Sequence, residues 1–193
     1  MRLSDQHPQW VLGYEDEVWF SRMAQPHLHA WTQDEAVRLQ QKQTDKDDAD
    51  PVAIACYGLL RADTGQMLLR FVNGRPVSHV TTQFLDWLAS EMAAAAKTAL
   101  LLIWDNARWH TSQEVRQWIK AHNQKVKRDG GCRLLACRLP SKSPWLNNIE
   151  PKWVHGKRKT VEPERKLSAQ ETKERLCAYY QCQLLEPLAQ KVA

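Results

Sequence analysis

Residues 100–110 read LLLIWDNARWH, in which a continuous apolar run ends on a carboxylate. A short, wholly apolar run is typical of a strand that is covered on both faces of a parallel sheet. Ligand sites in such sheets collect where the parallel strands end. The run therefore predicts a buried strand that delivers Asp105 to a site. A helix cap is the ordinary alternative for a lone carboxylate here, and both interpretations are open at this point.

The residues after this strand favour the site. Thr111 and Glu114 have the spacing of a capping box, so we expect the following helix to supply its own N-cap at Thr111. The segment between Asp105 and Thr111 is mostly polar or aromatic and ends in His110. His110 could orient a carboxylate or a phosphate, or could have a structural role. We therefore interpret the segment as a site loop.

The rest of the chain predicts an α/β fold with a mixed sheet. The sequence predicts antiparallel hairpin strands first, then parallel strands connected by helices, with helices on both faces. Residues 27–32 are predicted to be extended, and residues 33–50 to form a polar excursion or loop. The other predicted strands are 10–22, 51–60, 66–72 and 132–140, and the predicted helices are Thr81–Lys97, a helix from Thr111, and one from the box Ser168–Glu171.

Composition limits the class of protein. With 193 residues, 43% of them hydrophobic, we expect one domain spanning residues 1–193. No apolar run reaches the roughly 20 residues of a membrane span, and the N-terminus lacks the apolar core of a secretion signal. Five cysteines without a CxxC pair favour structural thiols over disulfides, although Cys132 and Cys137 leave a zinc site open. We predict a cytoplasmic protein with no membrane partner.

The charge is distributed unevenly along the chain. Residues 1–50 carry 5 basic and 10 acidic side chains, whereas residues 101–170 carry 15 basic and 6 acidic ones. Such an asymmetry is compatible with a polyanion bound on one side of the molecule. An ordinary solvated basic surface explains it equally well, so charge alone does not decide the function.

A second acidic stretch, YEDEVWF, places Glu15, Asp16 and Glu17 in a strand-like run. Three consecutive acids in a strand are unfavourable, because like charges repel and acidic residues have low β-propensity. An edge strand with acids facing water would explain two of them. Alternation places Glu15 and Glu17 on one face and Asp16 on the other, but spacing does not say which face is wet.

The third stretch is LPSKSPWLNNIEPKWVHGKRK, residues 139–159. Pro140 and Pro144 predict an extended arm, and Asn147 is a candidate helix N-cap. Glu150 then lies in the first helical turn, where a glutamate is usually only a favourable partner for the helix dipole. Here four basic residues follow it, namely Lys152, Lys157, Arg158 and Lys159.

Carboxylates that are gathered from distant segments repel one another unless a cation lies among them. All-oxygen ligands suit Mg²⁺ or Mn²⁺. Two such ions can activate the attacking oxygen and stabilise the leaving oxygen of a phosphodiester, and basic residues nearby would hold the nucleic acid backbone.

Together the three stretches resemble the catalytic boxes of the DDE transposases of bacterial insertion sequences related to mariner elements. The second box resembles the family in Asp105-Asn106 and then His110. The third box is the most specific, with Leu-Pro, Ser-Pro, Leu-Asn and Ile-Glu followed by Trp153. The first is the least specific, and it selects Asp16 over its two acidic neighbours.

The resemblance implies an RNase H-like fold and a metal-dependent enzyme. It implies that Asp16, Asp105 and Glu150 are the catalytic metal ligands for two Mg²⁺ or Mn²⁺ ions, supported by Asn106 and His110. The implied partner is double-stranded DNA, both transposon ends and target, and the implied reactions are nicking at the ends and attack of the freed 3′ hydroxyl on the target. The residues expected to contact DNA are Lys142, Lys152, Lys157, Arg158 and Lys159.

Family members carry helix-turn-helix modules before the catalytic domain, whereas only fifteen residues precede Asp16 here. We therefore expect a catalytic domain without these modules, acting as a homodimer or with a partner chain that recognises DNA. Two other hypotheses are open: an inactive remnant that binds DNA, and a nuclease of the same fold that does not transfer strands. Trp109 and Trp145 either contact DNA or have a structural role, and His27 with His29 is a surface pair or part of a metal site.

Overall fold

The computed structural model describes residues 6–24, 47–141, 143–162 and 165–189. Within these ranges the chain forms one six-stranded sheet with helices on both faces. The predicted strand at 27–32, with His27 and His29, lies outside the described residues, as does most of the polar segment 33–50. The strands are β1 (Trp10–Ser21), β2 (Ala53–Arg61), β3 (Met67–Asn73), β4 (Ala99–Trp104), β5 (Arg133–Arg138) and β6 (Leu188–Ala189).

The sheet is mixed, as the sequence predicts. Its strand order is β5-β4-β1-β2-β3-β6. Strands β1, β2 and β3 pair antiparallel, while β4 is parallel to both β1 and β5, and β6 is parallel to β3. The edge-strand explanation for the acids of β1 is wrong, because β1 lies inside the sheet between β4 and β2.

Four helices cover the sheet in the described residues. They are α1 (Ser78–Ala94), α2 (Gln113–Asp129), α3 (Glu150–Thr160) and α4 (Ala169–Tyr180). Val80, Phe84 and Val115 from α1 and α2 pack into one core, while Trp153 and Leu176 from α3 and α4 pack into the core of the opposite face. The prediction of helices on both faces is confirmed.

The helix boundaries depend on local hydrogen bonds. Helix α1 begins three residues before the predicted Thr81. The predicted cap at Thr111 is wrong: Thr111 bonds back to Ala107 through its N–H and hydroxyl, and the next residue, Ser112, is the cap and accepts from the N–H of Val115. Ser168 caps α4 as predicted, accepting from the N–H of Glu171.

In the part of the chain that the structure describes, no helix has both the length and the apolar character to cross a lipid bilayer.

The five cysteines are all free thiols, three of them buried, in agreement with the structural role expected for them.

Strand β2 has a glycine, Gly58, at the point where helix α3 packs on the sheet. Gly58 is the register partner of Asp16 on β1. A Cβ at Gly58 would lie 2.2 Å from the indole carbon Cη2 of Trp153, a separation that real Cβ atoms do not show. The glycine therefore lets the Trp153 indole lie directly on the sheet, and this contact sets how closely α3 approaches β1.

We expect Gly58→Ala to destabilise the protein by about 1–3 kcal/mol, because the new methyl group overpacks the contact between β2 and the Trp153 ring. Urea unfolding monitored by circular dichroism measures this loss. The loss should be smaller when Trp153→Phe is already present, since phenylalanine lacks the two ring carbons that the methyl group meets. Equal losses in both backgrounds would show that the indole is not the obstacle.

Candidate active site

The sheet brings the three predicted acids to one place. Asp16, Asp105 and Glu150 line a single pocket of about 350 Å³ together with Asn106 and Asn147. The parallel register of β1 and β4 runs to Tyr14 opposite Ile103, and two more residues bring Asp16 level with Asp105. Helix α3 brings Glu150 to the same edge. Three segments that are far apart in sequence therefore converge, at the carboxyl end of β4, as predicted.

Asp16 projects from β1 toward α3. Its Oδ2 accepts a hydrogen bond of 3.0 Å from the indole N–H of Trp153, the ring for which Gly58 leaves room. Burial, reinforced by Glu150 and Glu17, raises the pKa of Asp16 to about 7. Burial and the charges of Glu150 and Glu17 therefore oppose ionisation of Asp16, which is the electrostatic condition that a divalent cation relieves.

Glu150 is the first residue of α3, as predicted. Pro151 follows it in the first turn, where a helix tolerates the absence of an N–H. The prediction that Asn147 caps this helix is wrong: Ile149 holds the cap position, while Asn147 is buried and donates from Nδ2 to the carbonyl of Glu15 at 2.9 Å. Asn147 therefore fixes the segment before α3 onto β1.

His110 contacts Asp105 from the face of the sheet that lies away from α3. Its Nδ1 lies 2.8 Å from Oδ1 of Asp105, and its Nε2 lies 3.0 Å from Oε1 of Glu17 and 3.3 Å from Oε2 of Glu15. The imidazole is buried and stacks on Trp104, with ring centroids 4.5 Å apart. The structure thus brings His110 to a carboxylate, one of the roles that the sequence left open.

Neighbouring charges shift the pKa values of His110, Asp105 and Glu15. Burial by itself would lower the pKa of His110, but Glu15, Asp105 and Glu17 outweigh it and raise the pKa to about 11. In return, the hydrogen bond from His110 lowers the pKa of Asp105. Burial, reinforced by Glu17, raises the pKa of Glu15 well above its usual range. His110 is therefore an imidazolium that compensates several carboxylates.

Glu15, Glu17 and His110 form a group whose ligand atoms lie within 4.8 Å of one another, close enough to suggest a metal site. A doubly protonated imidazole has no free lone pair for a metal. Both ring nitrogens of His110 face carboxylate oxygens, so the positive charge in this group is the imidazolium of His110 and takes the place that a metal ion would have. The predicted acids on the pocket side fit a hard cation better, because they offer only oxygen atoms.

Asn106, Trp109 and Trp145, the other residues predicted near the site, have different environments. Asn106 lines the pocket and donates from Nδ2 to the carbonyl of Leu139 at 2.7 Å, which joins the loops after β4 and β5. Trp109 turns inward and donates to Glu17 at 2.7 Å, so its contact is structural. Trp145, in contrast, is 74% exposed.

The predicted basic residues of α3 lie on two sides of the helix. Lys157 falls on the stripe of Glu150 and Val154, and Arg158 lies beside this stripe. Lys152 instead lines a separate hollow with Tyr179 and Thr64, and Lys159, seven residues later, shares its stripe. All four are exposed. Lys142 lies outside the described residues.

Three contacts of the site were not predicted from the sequence. They are the bond from Trp153 to Asp16, the bond from Asn147 to β1, and the contact of Glu17 with His110. The alternation in β1 did place Glu15 and Glu17 together on the face away from Asp16, and the structure confirms this. Their partner is 93 residues away in sequence, so no local pattern could identify it.

Comparison with known proteins identifies the family and the fold of the chain. The sequence profile of the DDE superfamily endonuclease family matches residues 12–173. Comparison with the curated proteins finds no match.

Solved structures of similar fold include the Mos1 transposase paired-end complex with the left transposon end, at a TM-score of 0.63 and 14% identity, covering 93% of this chain and 51% of that one. The Mos1 mariner paired-end complex with Mn matches at 0.61 and 13% identity, covering 91% and 49%. The simian T-cell lymphotropic virus intasome in complex with PP2A regulatory subunit B56 gamma matches at 0.51 and 9% identity, covering 91% and 50%. The RNase H-like fold is thereby confirmed, and the chain spans about half the length of these proteins.

We expect the contribution of His110 to the stability of the metal-free protein to fall as the pH rises. The pKa of His110 is raised from 6.5 to about 11, so its contribution is complete below pH 6.5 and is lost progressively toward pH 11. Urea unfolding of the wild type and of His110→Gln, in EDTA, should give a larger difference at pH 6 than at pH 9. A difference that grew with pH would contradict the imidazolium assignment.

Proposed function

Because the chain belongs to the DDE superfamily endonuclease family, we propose that it is the catalytic domain of a DNA transposase. It nicks DNA at transposon ends and joins the freed 3′ hydroxyl to target DNA. The observation that carries the proposal is the convergence of Asp16, Asp105 and Glu150 on one pocket. A site with three carboxylates, and with no basic side chain among the described residues that line it, suits phosphodiester chemistry assisted by divalent cations.

Asp16, Asp105 and Glu150 would hold Mg²⁺ or Mn²⁺, with two ions at the site. The donor set supports this, because it consists of oxygen atoms, and the buried Oδ1 of Asn147 in the same pocket has no hydrogen-bond partner among the described residues. Two of the similar structures are described as Mos1 complexes with Mn and with Mg. When bound, the ions lower the barrier by activating the attacking oxygen and stabilising the leaving one.

The protein orients the carboxylates. Asp105 uses Oδ1 for the contacts with His110 and with the N–H of Ala107, so its orientation is fixed on one side. Trp153 does the same for Asp16 through Oδ2. Asp105 and Asp16 are therefore each restrained by a hydrogen-bond partner, which limits the reorganisation needed when cations and a scissile phosphate enter.

Double-stranded DNA is the proposed substrate. Lys157 and Arg158 lie nearest to the stripe of Glu150 and are the proposed contacts to the phosphate backbone, together with Lys142. Lys152 and Lys159 face the other side of α3 and could hold a second stretch of backbone. Recognition of the ends by a second copy or a partner chain stays a prediction.

We expect Asp105→Asn and Glu150→Gln each to reduce Mn²⁺-dependent nicking of a supercoiled plasmid to below about one hundredth of the wild-type rate, since each removes a metal ligand. The melting temperature of metal-free Glu150→Gln should not fall, because this change removes a carboxylate that repels Asp16. Asp105→Asn also loses its charge interaction with His110, so circular dichroism should establish that this variant is folded under the assay conditions. Asp86→Asn, at an exposed position on α1, is the matched control and should nick normally. Near-normal nicking by either site variant would refute the ligand assignment.

Strand transfer is tested separately from nicking. A labelled duplex with a pre-cut 3′ hydroxyl should become joined to a target plasmid by the wild type with Mn²⁺, and not by Glu150→Gln. Nicking without joining would favour the nuclease hypothesis. DNA binding without either activity would favour the inactive remnant.

A further inference from the structure

An apolar groove adjoins the acidic pocket. It has a volume of about 630 Å³ and is lined by Trp145, Pro151, Val154 and His155. Pro144, Asn147 and Glu150 line both the groove and the pocket, so the two cavities have a common wall. A ligand that reaches the carboxylates can therefore extend directly into the groove.

Trp145 is exposed on a rigid support. It lies in the 3₁₀ turn Pro144–Leu146, whose ends are fixed by hydrogen bonds from the N–H of Leu146 to Ser143 and from the N–H of Asn147 to Pro144. The buried side chain of Asn147 then ties this turn to β1. The backbone of Trp145 is therefore anchored, while 74% of the residue faces solvent.

The groove exposes apolar side chains together. Trp145 and Val154, which is 46% exposed, both line it, and Leu146, the next residue of the 3₁₀ turn, is also 46% exposed, whereas Trp104 and Trp153 are buried. Single exposed apolar residues are ordinary, but a contiguous apolar patch beside a polar pocket marks a binding surface. Within the described residues, Trp145 makes no ring contact or hydrogen bond, so the indole is available to a ligand.

The charges around the groove identify the ligand class. The acidic pocket lies at one end, and Lys157 and Arg158 lie one helical turn beyond Val154, without an ion pair in the described residues. An apolar, flat group bonded to a phosphate matches this arrangement, because the base would enter the groove while the phosphates face the pocket and the cations. A duplex presents only base edges, so the base must be unpaired.

We propose that this groove binds one unpaired nucleobase of the DNA strand being processed, stacked on the indole of Trp145. The inference rests on the proposed function, since it identifies the strand as the one whose phosphate lies at the carboxylates. It deepens that function: the protein holds a base that is unpaired next to the scissile phosphate, and it prefers frayed or overhanging ends to intact duplex.

Fluorescence anisotropy with two labelled duplexes tests this proposal. One duplex is blunt and the other carries a three-nucleotide single-stranded thymidine overhang, both with Ca²⁺ in place of Mg²⁺ or Mn²⁺ and with gel electrophoresis establishing that the DNA stays uncut. We expect Trp145→Ala to weaken binding of the overhang duplex about tenfold and to leave the blunt duplex within about twofold. Trp145→Phe should retain most of the affinity, because phenylalanine keeps a stacking face.

Trp19→Ala is the matched control, because Trp19 is 47% exposed on β1 and does not line the groove, and it should change neither affinity. Equal weakening of both duplexes by Trp145→Ala, or no weakening, would overturn the base-stacking proposal. A change of oligomeric state in light scattering, with overhang binding intact, would overturn it in favour of a protein contact.

The two proposals fail in different ways. Loss of the overhang preference in Trp145→Ala, together with a wild type that never nicks DNA, would leave the base site standing and refute the enzyme. Normal nicking with an overhang preference that is independent of Trp145 would do the reverse.

Discussion

The buried imidazolium of His110 is the interaction on which the site depends. Strand β1 brings Glu15 and Glu17 into the interior, where isolated carboxylates are strongly unfavourable. His110 compensates them with one charge and, through its other nitrogen, fixes Asp105. A buried ion network of this kind adds little net stability, because desolvation offsets the attraction. The network instead fixes a position. His110 holds Asp105 at the pocket, and His110 itself cannot move without leaving the buried carboxylates of Glu15 and Glu17 without their positive partner.

Strand β1 separates two electrostatic environments. Because side chains alternate along a strand, Glu15 and Glu17 face α1 and α2 while Asp16 faces α3. The acids of the first face share a positive partner, His110. On the second face, the partner of Asp16 within the described residues is the neutral indole N–H of Trp153, and burial together with Glu150 and Glu17 opposes ionisation of Asp16. One strand thus supplies both the structural acids and the acid of the pocket, where a cation and a phosphate can enter.

Packing sets the position of the third acid. Gly58 has no side chain, so the Trp153 ring lies against β2 and brings the start of α3, with Glu150, to the level of Asp16. Asn147 anchors the preceding turn to β1 and presents Trp145 outward. Glu150 and the exposed indole are thus supported by the same short segment, which explains why the acidic pocket and the apolar groove have a common wall.

The sequence alone predicted most of the strands and helices, and together with the family resemblance it singled out the three acids that the structure brings to one pocket. The apolar run before Asp105, the alternation in β1 and the third box are local patterns, and local patterns carry information about strands, faces and helix starts. They failed at Thr111, where the adjacent Ser112 takes the cap position, and at Asn147, whose side chain instead makes a tertiary contact with β1. Only the tertiary structure decided that β1 is an inner strand, that Glu17 meets His110, and that Trp153 meets Asp16. Those pairings depend on strand order and layer packing, which bring together residues about a hundred positions apart, and no periodicity along the chain records such a distance.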